Sequence, residues 1–506
     1  MGGMLLHKLT ILLLCAFALS VSASRYRPPY TRFTSDVWTG LDDYNNKARE
    51  IREAFRIAWH QYVDYAYPNG TVPLSNGSFV EDPPAVFHDT TVWDQPVHLS
   101  DATIHYLGGL ISSYDLAAGA HRGILRGKSA TVILDQAETL ARTLLIAFDT
   151  PSGMPDPVVT FYPFHERSGA NVTTLHNIGS LMLEWTRLGD ISTIKEFGEV
   201  IQKIDVRLGH PMPRQSQPFT GLFSNVVNLT DGWFLGEDGG WNAEGLVYYE
   251  SLIKLWEYDP IRFVLHKERW TRAADSVMAN LRSYPDSNHD LTFLSDFTGN
   301  RTITNSSRPA CASGSNFISG GMAVEGEKHA NIWPDSPGRI SAAELVEVLY
   351  NAWRATDDSK WQDRAWELYK HLNTLHGAKG GTWIGRFELE WDYSDRMDFE
   401  HEDPITREGV WMGRILRTMW LMLASSKSPT QTQRADKGNR FIYTTGGHPI
   451  QVYNYGQKAD PHSPPKDNLG GYTDWKYAQK NKHQWRPESW ESFFKGVEPV
   501  PEKDNH

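Results

Sequence analysis

The sequence predicts a mostly α-helical chain folded as a single large domain, and three observations carry that expectation. Apolar residues recur at helical spacing in segment after segment from Leu99 onward. Connectors rich in Gly, Pro and Asn separate these segments, so the helices are punctuated rather than continuous. With 506 residues, 40% hydrophobic and 22% charged, the chain can bury a large core, although length alone also fits two or three ordinary domains. Paired helices with long connectors on one side suggest an α/α toroid, in which every helix buries its apolar stripe against neighbours.

Taken in order, residues 1–23 begin with His7 and Lys8 in a short polar stretch, run apolar over 9–19 and end Val21-Ser22-Ala23, a small-x-small cleavage pattern. This predicts a signal peptide. The apolar run is too short for a comfortable bilayer span and no later stretch reaches about 18 uninterrupted apolar residues, so a lumenal or secreted chain without a membrane anchor is expected. Sequons at Asn69, Asn76, Asn171, Asn228, Asn300 and Asn305 agree with that route. Of the two cysteines, Cys15 leaves with the signal peptide and Cys311 has no intramolecular partner. Cys311 reads as a small buried hydrophobe, with a reactive thiol as the alternative.

Residues 43–65 place Ile51, Phe55, Ala58, Trp59, Tyr62 and Val63 on one face of an amphipathic helix. Residues 68–95, rich in Pro, Gly, Asn and Asp, read as loop. Helical patterns follow at 101–117, 131–147, 177–188, 192–208, 245–256, 260–283, 342–355, 360–375 and 408–425. Residues 24–453 form the expected domain. The extension 454–506 is Lys-, Pro- and aromatic-rich and reads as a flexible solvated tail, with packing of Trp485, Trp490 and Phe493 onto the domain as the alternative.

A net charge of -11, with no basic cluster interleaved with aromatics, argues against nucleic acid or an anionic membrane surface as the partner. The 19 Trp and 21 Tyr suit flat platforms for sugar faces, and equally suit a core. In the stretch VHLSDATIHYLGGLISSYDL (97–116), Ile104, Leu107, Leu110 and Ile111 recur at helical spacing and put Asp101 in the first turn. There Asp101 either faces a cavity as a working acid or complements the positive helix end.

That stretch resembles the FE-x-T-I-R-x-L-G-G signature of the class I α-1,2-mannosidases, glycoside hydrolase family 47. Six further segments resemble the same family in the same order: AFDTPSGMP, GSLMLEWTRL, GLVYYESLIKLWEYDPIRF, DLTFLSDF, AWRATDD and FIYTTGGHPI. The chain is identified as a divergent member of the fungal secreted type. The resemblance implies an all-α (α/α)7 barrel with a terminal β-hairpin, acting as a calcium-dependent monomer that releases terminal α-1,2-linked mannose from high-mannose oligosaccharides with inversion. The family's further helical segment before the FE signature has no counterpart in 68–95. Either part of one helical hairpin is missing or the gene model is imperfect.

Inverting hydrolysis needs an acid for the leaving oxygen and a carboxylate to activate water, roughly 6.5–9.5 Å apart. Asp101 matches the Glu of the FE signature, shortened by one methylene, and His105 replaces its Arg by a group only partly protonated near neutral pH. The Asp of G-D-S-x-Y-E-Y falls on Leu246, with Glu244 two residues away as a possible substitute and Glu250 matching the motif's own Glu. The R-P-E-x-x-E-S motif supplies Glu344 and Glu347, although Ser341-Ala342-Ala343-Glu344 is equally a capping box. Glu408 matches the E-S-F glutamate near the barrel floor. Thr445 matches the Thr of N-T-E-A-H-P that holds calcium, with Gly446 in place of the following Glu. A non-hydrolytic mannose-binding protein on the same barrel, and a hydrolase of changed linkage preference, are the alternative functions.

Overall fold

The computed structural model of the protein describes residues 46–61, 96–119, 125, 129–161, 164–213, 216–241, 243–283, 293–303, 313–323, 340–377, 388–389, 410–424 and 441–453. The expected signal peptide, the loop 68–95, Cys311, Glu408 and the extension 454–506 lie outside the described residues.

The described helices are α1 (Asn46–Gln61), α2 (the continuous run Leu99–Asp101, Ala102–Leu107 and Gly108–Ala118), α3 (Thr131–Leu144), α4 (Leu175–Ile191), α5 (Glu196–Gly209), α6 (Ala243–Tyr258), α7 (Val264–Asn280), α8 (Ser313–Ala323), α9 (Ala342–Thr356), α10 (Lys360–Gly377) and α11 (Val410–Leu416 continuing as Arg417–Leu423). Sequence periodicity anticipates all of these but α8, whose run SGSNFISGGMA is poor in strong helix formers. Tertiary packing holds α8 instead: Phe317 is fully buried and Asn316 accepts a hydrogen bond from the Trp270 indole of α7 at 2.9 Å.

Two expected starts shift for side-chain reasons. Residues 192–195 stay outside α5 because the Ser192 hydroxyl donates to Glu138 and accepts the Ile194 amide. Residues 260–263 stay outside α7 because Asp259 accepts the amides of Ile261 and Arg262, a local turn that competes with helix.

Along the ring α2 packs on α4, α4 on α6, α6 on α8, α8 on α9 and α9 on α11, while α3, α5, α7 and α10 cover the outside. The α4–α6 interface is the most extensive, and α4 is buried nearly all round, Trp185 included. One apolar core runs from α2 through α7 and takes in Ile442, Ile450 and Val452. A second joins α1, α8, α9, α10 and α11. At about 25 cal/mol per Å² of apolar surface, each buried Leu, Ile or Phe contributes roughly 1.5–3 kcal/mol.

The connectors hold strands that helical periodicity does not reveal. A five-stranded antiparallel sheet of β1 (Val172–Thr174), β2 (Ser224–Asn228), β3 (Phe234–Gly239), β4 (Asp296–Thr298) and β5 (Arg301–Ile303) runs in the order β5-β4-β3-β2-β1. It stands where α4 and α6 begin. The expected terminal hairpin is present as β6 (Phe441–Tyr443) and β7 (Pro449–Gln451), with Ile442 opposite Ile450. It is anchored where the helices end, through the Gln451 amide on Asp115 of α2 and the Tyr453 amide on the Tyr258 carbonyl of α6. Sheet and hairpin therefore mark opposite ends of the ring.

Candidate active site

The turn between β6 and β7 is the point on which the charged side chains of the inner helices converge. Thr444, Thr445, Gly446 and Gly447 form it, with the Gly447 amide donating to the Thr444 carbonyl and the Thr444 amide to the His448 carbonyl. Gly447 has φ of 74°, which favours glycine. Gly446 packs so tightly on α2 that a Cβ there would lie 2.6 Å from the Ile104 carbonyl oxygen. A glutamate at 446 has no room in this arrangement, which gives the glycine a steric reason.

Helix α2 brings Asp101 and His105, one turn apart. Asp101 is exposed in the first turn and His105 is half-buried below it. Between them the helix widens to π-helical turns over Ala102–Leu107, a distortion that frequently marks functional sites. Burial lowers the His105 pKa below 6.5, Arg414 adds to the effect and Asp101 opposes it. The ring is thus neutral at neutral pH, where the sequence suggests partial protonation. His448, buried beneath the turn, is pushed down to about 3 by burial and by the charges of Arg417 and His105.

Helix α4 supplies Glu184, which sequence reasoning overlooks. It is 2% exposed, and burial pushes its carboxyl up to about 7, while Lys254 and a hydrogen bond from Thr444 oppose the rise and Glu250 adds to it. Its Oε1 has no hydrogen-bond partner among the described residues. The signal available in the sequence was an acid inside the otherwise apolar run LMLEW, where an ionisable group is rarely tolerated without a task.

Helix α6 supplies Glu250 and Lys254, ion-paired one turn apart at 2.5 Å. The Thr445 hydroxyl reaches Glu250 Oε2 at 3.5 Å. Leu246 lies one turn before Glu250 on the same side of the helix and packs on the core. Glu244 is half-buried in the first turn, and at about 100° per residue it points roughly 160° away from Leu246. The helix is regular from Ala243, so Glu244 is not brought to the position that Leu246 occupies.

Helices α9 and α11 complete the cluster. Glu344 and Glu347 are half-buried in the first turns of α9, which starts at Ala342 directly after Ser341. Arg414, in a second π-helical segment over Val410–Leu416, donates through Nε and Nη2 to the two Glu347 carboxylate oxygens, both at 3.0 Å. Arg417 is buried with its guanidinium 4.4 Å from the Tyr443 ring centre, and burial lowers its pKa. Of the sequence-nominated residues, His105, Glu250, Glu344, Glu347 and Thr445 thus share one electrostatic neighbourhood with Asp101 at its rim. Glu184, Lys254, Arg414, Arg417 and His448 are the additions. A buried acid, half-buried carboxylates and a hydroxyl beneath an exposed acid suit acid–base chemistry on a polar, neutral substrate.

Comparison with known proteins points the same way. Residues 80–343 and 334–452 match the sequence profile described as Glycosyl hydrolase family 47. A "Probable mannosyl-oligosaccharide alpha-1,2-mannosidase 1B" of Aspergillus clavatus is 30% identical over 490 residues, covering 81% of this chain and 94% of the relative. The "Mannosyl-oligosaccharide alpha-1,2-mannosidase" of Penicillium citrinum is 28% identical over 509 residues, covering 86% and 97%. The solved structure of an "alpha-1,2-mannosidase from Trichoderma reesei" superposes with a TM-score of 0.68 at 28% identity, covering 80% of this chain and 99% of that one.

Proposed function

The chain belongs to glycosyl hydrolase family 47, with the (α/α)7 barrel and terminal hairpin, and from that premise we propose that it hydrolyses terminal α-1,2-linked mannose of high-mannose N-glycans with inversion. The observation that carries this reading is the convergence of Glu184, Glu250, Glu344, Glu347 and Thr445 from α4, α6, α9 and the hairpin turn. Asp101 at the rim is the acid that protonates the departing glycosidic oxygen. Glu344 is the carboxylate that takes the proton of the attacking water on the opposite ring face. Neutral His105 offers a hydrogen bond without a charge, and Glu250 and Glu347 bind or orient sugar hydroxyls. Glu244 and Glu408 remain candidates, Glu244 on a different face of α6 and Glu408 outside the described residues.

Calcium is the cation this reading implies. The donor set fits a hard ion: it is oxygen-only, with the Thr445 hydroxyl and carbonyl at the turn, Glu250 behind, and the buried Glu184 Oε1 lacking a hydrogen-bond partner among the described residues. Thr445 would hold the ion, with Glu250 and Glu184 placed to fix its waters. When bound, the cation would orient sugar hydroxyls and stabilise developing negative charge. The reading extends to a monomer in the secretory pathway, carrying a cleaved leader at 1–23, the barrel at 24–453 and a C-terminal extension at 454–506. Among the described residues no helix is long and apolar enough to cross a membrane.

The test is release of free mannose from an α-1,2-linked oligosaccharide by the purified chain. Asp101→Asn and Glu344→Gln are each expected to lower kcat about 100-fold or more, with the melting temperature little changed. A melting shift without a rate effect on Glu344→Gln would assign that residue to helix capping instead. Leu246 favours a second reading, a mannose-binding protein without turnover, because a leucine stands on the face of α6 that presents Glu250. Calorimetric binding of a mannose disaccharide with no release would establish it, and Leu246→Asp would then be expected to introduce measurable release.

A further inference from the structure

Two of the carboxylates around Thr445 are already balanced by cations from the same chain. Lys254 pairs with Glu250 at 2.5 Å, and Arg414 holds both oxygens of Glu347 at 3.0 Å. Arg414 also packs on the turn itself: a Cβ placed at Gly447 would lie 3.0 Å from its Cγ. Burial works against the guanidinium charge, yet Glu347, then Glu344 and Glu250, outweigh it and keep it charged. The same charge reaches His105 on α2 and His448 on the hairpin, so it is felt across the floor of the ring. Arg417 adds a second buried guanidinium beside the turn.

We propose that Arg414 is a built-in counter-cation of this site: clamped by Glu347 against the turn that carries Thr445, it opposes a divalent ion and sets the affinity for calcium low. The inference rests on the reading of Thr445 as the calcium-holding residue. Two physical effects act together. A fixed unit charge near a divalent ion repels it in a half-buried, weakly screened environment, and the bidentate pair removes Glu347 from the carboxylates free to support the ion's waters. Calcium affinity in oxygen-ligand sites follows the number of available negative charges, so one arginine in the shell acts twice.

The experiment is calorimetric titration of calcium chloride into the purified full chain, with melting temperature in calcium and in chelator as a second readout. Arg414→Gln removes the charge and is expected to tighten the calcium Kd by about tenfold or more, and to widen the difference in melting temperature between calcium and chelator. Arg414→Lys keeps the charge and is expected to leave the affinity close to that of the parent, a control that also separates charge from packing. Equal calcium Kd values for the parent chain and Arg414→Gln would overturn the proposal, as would equal tightening by Arg414→Gln and Arg414→Lys. Should Arg414→Gln fold poorly, Glu347→Gln tests the same point, because an Arg414 freed from its clamp is expected to weaken binding further, and unchanged affinity would again refute it. Thr445→Val in the Arg414→Gln background is expected to abolish the gained binding. A gain that survives this double change would refute the Thr445 reading while leaving the charge effect of Arg414 in place.

Discussion

Asp115→Ala is expected to lower the folding free energy by about 3–5 kcal/mol, the cost of stripping one partner from a buried ion pair. Asp115 of α2 is 1% exposed and accepts two hydrogen bonds from Arg187 of α4, at 2.6 and 3.1 Å, and one from the Gln451 amide of β7 at 2.9 Å. One carboxylate therefore joins two inner helices to the hairpin that closes the ring. Burial alone would depress the Arg187 pKa, but the Asp115 charge, with Tyr258 behind it, outweighs burial and raises that pKa, so the guanidinium stays charged and would be left in the core without a carboxylate, with only the Tyr258 hydroxyl at 3.4 Å among the described residues. The measurement is urea unfolding of the purified chain, with Asp115→Asn as companion. The amide keeps one acceptor for Arg187, so its loss should be smaller. A loss below about 1 kcal/mol for Asp115→Ala would show that the hairpin does not depend on this tether.

Glu184→Gln is expected to stabilise the protein above pH 7 by up to about 3 kcal/mol when measured in chelator. The sign follows from the direction of the shift. The Glu184 carboxyl rises from 4.5 to about 7 in the folded chain because burial disfavours its charge. The folded state therefore binds the proton more tightly than the unfolded chain. That contribution to stability is fully present below about pH 4.5 and is lost as pH rises through 7. Glutamine copies the protonated shape without the ionisation, so parent and variant should unfold alike near pH 4 and diverge steadily to pH 8. A constant difference across that range would mean that Glu184 does not titrate there. The same substitution removes the carboxylate placed behind Thr445, so it should also weaken calcium-dependent stabilisation.

These two residues show what local pattern makes legible and what it leaves out. The helix carrying Asp101 and His105 was readable because 97–116 repeats its apolar positions at helical spacing, and Glu250, Glu344 and Thr445 because each sits inside a contiguous motif. Glu184 lies in the motif-like run GSLMLEWTRL, but its role is not legible there, since its neighbour on the adjacent inner helix, Glu250, is 66 positions away in sequence. Arg414 and Glu347 are likewise paired across 67 positions. The side-chain type of His105 alone implies a partial charge near neutral pH, and burial decides otherwise. The strands of the sheet were hidden because three- to six-residue elements in Gly- and Asn-rich connectors give too few alternations for a period to register.

By itself the sequence determined that the chain is a helical ring of family 47 type and where all its described helices but α8 run, and it nominated an acid, two helix-borne glutamates and a turn threonine for the site. Those properties are written in local periodicity and short motifs, which survive without knowledge of the neighbours. Only the tertiary structure decided the charge state and partnership of each group: that Glu184 is buried and holds its proton to about pH 7, that His105 is neutral, that Glu244 faces away from Leu246, and that Arg414 is clamped by Glu347 against the turn that carries Thr445. Charge and hydrogen bonding act over a few ångströms of space regardless of chain distance, so they are settled only once helices far apart in sequence are packed side by side.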